Sequence, residues 1–375
     1  MNLKTARKKF TQETYSQGIN CMILINGNFL CRNLTGIERF AWETCAHLDE
    51  LISSADEIAL LVPANAKIVP SYKNIRPIHS KKTIKGFPKW DILDFPSECK
   101  KLKALPLNFS NTAPLSSHCG IAFIHDIYAA DHPEDFKSFR DRLVRFYSTM
   151  HYKNIARHAD MVVTVSNFSK SQIQKKYGTP EDRITVVPNG WDHFKTVEED
   201  NSIFERFPAL SKGNFYFTLG SLSKRKNLAW IARHAELFPD ETFAVSGKAI
   251  SGLVPDELKS LQKISNVVLL GYVSDGQVKA LMKNCKAFIF PSYYEGFGIP
   301  PLEALSCGAK CIVSRTSCLP EIYGDTVQYI DPTDSSTNLG ELLSRPVTAC
   351  GSILSKYTYA NSAKLLLEVI RKFNR

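Results

Sequence analysis

The sequence predicts an α/β protein with parallel sheets, divided into two domains, and three observations carry that expectation. Short apolar runs recur along the chain, among them Ile58-Ala59-Leu60-Leu61-Val62 and Ala287-Phe288-Ile289-Phe290, and read as strands buried on both faces. Helical stretches alternate with those runs, the order that builds parallel sheets. A length of 375 residues allows two domains, each with its own core.

Hydrophobic residues at 44% and charged residues at 22% describe an ordinary globular chain. No apolar run approaches the ~20 residues that span a bilayer. Residues 1–10 are basic without the apolar centre of a signal peptide, and residues 1–20 read as a loosely ordered leader. The ten cysteines include no Cys-x2-Cys pair, and Cys307 and Cys311 have neither a second pair nor nearby histidines for zinc. Reduced, mostly buried thiols in a cytoplasmic protein are expected. The net charge of +10 suits nucleic acid, an anionic membrane face or a phosphorylated ligand. No basic run interleaved with aromatics and no helix-turn-helix is present, so nucleic acid is set aside.

In order, Cys21–Asn26 reads as the first strand, and Gly36 opens a helix to about Leu51. Gly36 either lets the backbone approach a phosphate at the helix start or simply begins a helix. Ile58–Val62 is a second strand, and residues 63–113, rich in proline and lysine, read as edge strands and loops. Gly120–Asp126 is a buried strand ending in His125-Asp126. A histidine there is ligand-facing or a satisfied core residue, and position alone does not decide. From Glu134 to His158 a helical pattern puts Phe136, Phe139, Leu143, Phe146, Tyr147 and Met150 on one face, with cations among and opposite them. That face either packs on the core or meets anionic lipid headgroups. A strand at Met161–Ser166, a helix from Ser169 to Tyr177 and a strand from Ile184 lead to the turn Pro188-Asn189-Gly190-Trp191-Asp192.

A new strand, Phe215–Gly220, opens the second half. After it, Ser221 to Leu228 sets Arg225 and Lys226 just before a helix, where cations oppose the helix dipole, a misfit expected if an anion binds there. Strands at Thr242–Ser246 and Val267–Leu270 follow, then a helix over Ser274–Lys283. The strand Ala287–Phe290 runs into Pro291-Ser292-Tyr293-Tyr294-Glu295-Gly296-Phe297-Gly298-Ile299-Pro300-Pro301-Leu302-Glu303. Its glycines and prolines enforce a tight strand-to-helix turn, the place where open α/β sheets bind ligands. The N–H groups of Phe297 and Gly298 suit an anion, and Glu303 suits sugar hydroxyls beside it. A strand at Cys311–Ser314, a helix start at Pro320 and a terminal helix over Tyr357–Phe373 complete the chain.

Glu295-x7-Glu303 after Pro291-Ser292 resembles the signature of the family-four retaining glycosyltransferases, the glycosyl transferases group 1. The resemblance implies the GT-B fold: two facing Rossmann-like domains, a central cleft, and a C-terminal helix crossing back to the first domain. It divides the chain into an acceptor domain (21–192), a nucleotide-sugar domain (193–355) and a crossing helix (356–375). It implies transfer of a hexosyl unit, mannose or rhamnose favoured, from a nucleoside diphosphate sugar to a glycan or polyprenyl-linked acceptor in surface polysaccharide synthesis. The protein is expected in the cytoplasm or on the inner face of the cell membrane. The catalytic group it implies is Glu295, His125, Arg225 and Lys226, the cations neutralising the diphosphate. Glu303 would bind ribose; Phe297, Gly298, Gly36, Gly220, Ser221 and Asn189 would line the donor; Tyr272 and Val273 would flank the base. Glu38 stands where the family's glycine-rich loop often has glycine, and Ser221 where many relatives have arginine. No cofactor or metal is expected. The same scaffold in an epimerase or phosphorylase, or in a non-catalytic partner subunit, is the alternative.

Overall fold

The computed structural model describes residues 22–53, 57–220, 223–247 and 260–373. The expected leader and Ser221 lie outside them. Strands β1 (Ile23–Asn26), β2 (Ile58–Val62), β3 (Arg76–His79), β4 (Leu105–Asn108), β5 (Ile121–Phe123), β6 (Met161–Thr164) and β7 (Ile184–Val186) pair in the order β3-β2-β1-β4-β5-β6-β7. Strands β8 (Phe215–Leu219), β9 (Thr242–Ser246), β10 (Val267–Gly271), β11 (Ala287–Phe290), β12 (Cys311–Ser314) and β13 (Gln328–Ile330) form a second sheet, β10-β9-β8-β11-β12-β13. Every pairing in both sheets is parallel. Each central strand is covered on both faces, which is why these strands are continuous apolar runs.

The order of each sheet reverses once. The first turns back between β1 and β4, the second between β8 and β11. Strand order therefore marks one crevice per sheet, at the carboxyl ends of those pairs. Here the expectation of edge strands in residues 63–113 needs correction: β3 is at the edge, but β4 lies at the centre, between β1 and β5. Its Leu105-Pro106-Leu107-Asn108 sequence hides this, because proline normally marks an edge.

The helices that matter below are α1 (Gly36–Leu51), α2 (Phe139–His158), α3 (Asn167–Tyr177), α4 (Leu228–Leu237), α5 (Asp275–Asn284), α6 (Pro300–Ser306), α7 (Leu319–Tyr323) and α8 (Tyr359–Arg371). Helix α8 returns to the first domain, where Tyr359, Ala363, Leu366 and Ile370 share a core with Phe40, Ala41, Cys45 and Leu48 of α1. Gly190 permits the crossing, since a Cβ there would stand 2.2 Å from the Tyr359 nitrogen. Asp192 Oδ1 accepts from that Tyr359 N–H at 2.7 Å.

Helix α2 departs from expectation at its start, and of the two readings of its apolar face it excludes the core-packed one. It starts at Phe139 rather than Glu134, because Ser138 and Asp141 form a reciprocal cap. On that face Phe139, Leu143 and Phe146 are exposed, and only His151, Tyr152, Ile155 and Ala156 of the helix are buried. The nine described cysteines are free thiols.

Candidate active site

The turn after β8 and the turn after β11 meet at the second sheet's crevice. Arg225 Nη1 donates to Glu295 Oε2 and Lys226 Nζ to Glu295 Oε1, both at 2.6 Å, and the carboxylate is almost fully buried. The Tyr293 N–H donates to the Arg225 carbonyl at 3.0 Å, and Ser317 Oγ accepts from the Glu295 N–H at 3.1 Å, so backbone as well as charge fixes the pair of turns. Gly220 lies under the Lys226 side chain, 3.3 Å from its Cε to an added Cβ. A hollow beside them is lined by Thr218, Gly220, Lys226, Ser246, Phe290 and Ser292.

Burial alone would raise the Glu295 carboxyl, but the charges of Arg225 and Lys226 outweigh it and hold it below the ordinary range. For Lys226 the balance falls the other way. Burial lowers its ammonium more than Glu295 raises it, leaving a cation that gains from a further anion.

The first domain closes over this cluster. A Cβ on Gly296 would stand 2.4 Å from the His125 carbonyl oxygen, so only glycine allows that contact. Ser166 Oγ donates to the Gly296 carbonyl at 2.7 Å, and Ser169 Oγ to the His125 carbonyl at 3.1 Å. His125 itself is buried, with Nε2 2.7 Å from the Phe109 carbonyl and its ring stacked on Phe123. Burial lowers its pKa. A neutral imidazole giving its Nε2 proton to Phe109 keeps Nδ1 as an acceptor, compatible with a sugar hydroxyl. Further out, Asp135 accepts from Lys224 at 2.6 Å, from the Tyr128 hydroxyl at 2.7 Å and from the Tyr293 hydroxyl. Glu321 accepts from the N–H groups of Asn167 and Phe168 at 2.8 Å.

Glu303, on α6, is buried with Oε1 3.1 Å from His193 Nε2. Gly298 has φ +85°, a left-handed conformation suited to glycine, and its carbonyl accepts from the Tyr323 hydroxyl. Among the described residues, nothing accepts from the N–H groups of Phe297 and Gly298. The Phe297 side chain is core, packed edge-on to Tyr357. Gly36 begins α1 opposite Ile299, and a Cβ there would meet only ordinary contact at 3.7 Å. Tyr272 is exposed and Val273 buried; Ser246 ties their loop to the hollow by donating to the Gly271 carbonyl at 3.1 Å. Asn189 is buried in the crossing turn, whose Gly190 faces α8. Sequence reading missed His193, Ser166, Ser169 and Asp135. His193 follows the Pro-Asn-Gly turn directly and was within reach of it; the others have no local signal.

The first sheet's crevice is polar too. Asn26 Nδ2, ending β1, donates to Asn108 Oδ1, ending β4, at 3.1 Å, while Asn28 Nδ2 donates to Asp91 Oδ1 at 3.0 Å. Asp91 is fully buried, and burial raises its carboxyl despite Arg32. It sits in a π-helical turn, Trp90–Asp94, a conformation often found at functional sites. As for metals, His132, Glu134 and Asp135 lie close enough to share an ion, but Asp135 is already committed to Lys224 and two tyrosines.

Two sheets that face each other across their carboxyl ends, with a cation–carboxylate cluster between them, define a two-domain α/β protein of GT-B type. The model of glycosyl transferases group 1 matches residues 199–345, and that of glycosyltransferase family 4 matches residues 113–193. Relatives include the O-antigen chain mannosyltransferase B of Escherichia coli, 30% identical over 57% of this chain and 58% of the relative. The O-antigen chain mannosyltransferase RfbU of Salmonella typhimurium is 24% identical over 70% of this chain and 72% of that one. The match thus spans little more than half of the first relative. Among solved structures, sucrose-phosphate synthase from Thermosynechococcus elongatus superposes with a TM-score of 0.69 at 14% identity, covering 94% of this chain and 98% of that one. WaaG, a glycosyltransferase involved in lipopolysaccharide biosynthesis, gives 0.59 at 15%, covering 93% and 94%. Over residues 113–193 and 199–345 the chain is similar to the group 1 glycosyltransferases, and its two-domain fold is of GT-B type.

Proposed function

We propose that this chain moves a hexosyl unit, mannose or rhamnose, from a nucleoside diphosphate sugar to a sugar hydroxyl of a glycan or polyprenyl-linked precursor of a surface polysaccharide. Transfer proceeds with retention and without metal, in the cytoplasm at the inner face of the membrane. The observation that carries the reading is the buried Arg225–Lys226–Glu295 cluster at the crevice between β8 and β11. As the sugar leaves, negative charge grows on the β-phosphate, and Arg225, Lys226 and the amides of Phe297 and Gly298 stabilise it. Glu295 holds sugar hydroxyls and offsets oxocarbenium charge, His125 accepts from the sugar, and Glu303 binds ribose. The leaving phosphate takes the acceptor proton on the same face, so no protein nucleophile is needed. The O-antigen mannosyltransferases among the relatives support the mannose donor and the pathway class.

Thermal melting against a panel of nucleotides and nucleotide sugars tests the donor site, because a ligand of the folded state raises the midpoint by mass action. One diphosphate nucleotide should give a selective rise that survives a chelator. Glu303→Ala should abolish that rise, whereas Glu295→Gln should keep it and lower turnover. No rise with any nucleotide, or full transfer by both variants, would overturn the assignment.

A further inference from the structure

The first half of α2 is built outward. Phe139, Leu143, Val144 and Phe146 are 79%, 54%, 52% and 67% exposed. Four large apolar side chains within eight residues are a patch rather than scattered surface apolar residues. Phe139, Leu143 and Phe146 fall on one stripe at helical spacing, and the exposed cations Lys137, Arg140 and Arg142 flank it. The one acid among them, Asp141, is occupied in the cap, where it accepts from the Ser138 N–H at 3.2 Å. That reciprocal cap fixes the helix end without burying it.

The position of the patch matters as much as its chemistry. Helix α2 connects β5 to β6 in a parallel sheet, so its first turns lie at the sheet's carboxyl edge, as does the crevice between β1 and β4. Leu34 follows β1, Ile68 and Val69 follow β2, and Leu93 adjoins Asp91 in the turn bonded to Asn28; all four are exposed apolar residues at the same edge. Further along α2, Tyr147 reaches inward to Asp91, whose charge adds to burial in raising its phenol pKa. One helix thus carries an apolar–basic face outside and a contact with the first crevice inside.

We infer that the Phe139–Phe146 face of α2 docks on an anionic lipid surface, phenylalanines in the headgroup region and Lys137, Arg140 and Arg142 on lipid phosphates. This rests on the proposed lipid-linked acceptor and adds the residues that deliver it: a membrane at this edge presents the acceptor's sugar to the first crevice. Charge complementarity favours a membrane over a second copy of the chain, whose equally basic face would be repelled.

Co-sedimentation of the full chain with vesicles tests it, using phosphatidylcholine mixed with phosphatidylglycerol against phosphatidylcholine alone. The chain should pellet with the anionic vesicles only. Arg140→Gln should lower partitioning roughly five-fold, and the Phe139→Ser, Phe146→Ser double variant by about ten-fold or more. Both variants should keep the wild-type melting midpoint and its nucleotide response, so loss of lipid binding is separable from misfolding. A wild-type chain that stays in the supernatant, variants that pellet as well as wild type, or a dimer that these substitutions dissociate would each overturn the inference. Absence of any nucleotide response would instead remove the donor reading and leave the vesicle result standing on its own.

Discussion

His151 shows what a single buried ring does to the pH dependence of the whole chain. It is fully buried on α2, and its Nδ1 accepts from the Ala113 N–H at 3.3 Å, so the neutral ring carries its proton on Nε2. Burial lowers its pKa from 6.5 to about 4. Between those values the unfolded chain binds a proton that the folded chain refuses, so stability is intact above 6.5 and falls as pH drops toward 4. A gap of that size corresponds to about 3 kcal/mol at most. Urea unfolding of wild type and His151→Gln across this range should show the variant with the shallower acid loss. A wild-type-minus-variant difference that does not change with pH would refute the linkage. Glu295 follows the same sign at lower pH: its depressed carboxyl stabilises the fold above the ordinary carboxylate range, and that contribution is lost as pH falls through its own lower value.

At the scale of elements, the turn after β11 is held by what it touches across the cleft. Gly296→Ala places a methyl group 2.4 Å from the His125 carbonyl, backbone against backbone, with no side chain free to yield. The loop must withdraw from His125, displacing Glu295 relative to the first domain. Turnover should fall roughly 100-fold, as small misplacements at reacting centres do, while each sheet keeps its melting behaviour. Unaltered turnover would mean that the contact is incidental. This turn was legible in the sequence because its chemistry is local: glycines, prolines and two glutamates within a strand-to-helix junction. So were the strands Ile58–Val62, Thr242–Ser246 and Ala287–Phe290, each bounded as the apolar runs indicated. Strand β4 was not, since its proline argues for an edge and its central place depends on partners 82 residues away, as in the Asn26–Asn108 bond. The exposure of α2 was likewise hidden: a helical apolar stripe has the same spacing whether it faces a core or a bilayer.

The whole molecule is two domains clasped by a small set of polar bonds, a kind of interface across which relative motion is the default. Asp135 is the centre of the clasp, a first-domain carboxylate accepting from Lys224 and Tyr293 of the second domain and from its own Tyr128. Asp131 accepts from the Tyr294 hydroxyl at 3.0 Å, and Arg39 donates to Asp275 at 2.8 Å on the far side. The cationic turn is thus shared between the buried cluster and the closing surface: Lys224 grips Asp135 while Arg225 and Lys226, next in the chain, grip Glu295. The turn that carries Arg225 and Lys226 is anchored to the first domain through Lys224, while the cluster around Glu295 is complete within the second domain. Asp135→Asn removes the charge and keeps the shape, weakening hydrogen bonds to a charged group that contribute about 1.5–3 kcal/mol each. Small-angle scattering without ligand should then show a larger radius of gyration than wild type, and turnover should fall. The nucleotide response in melting should persist, because the hollow beside Lys226 is lined by second-domain residues alone. If radius and turnover both match wild type, other contacts hold the domains together and Asp135 is only one surface bond among them.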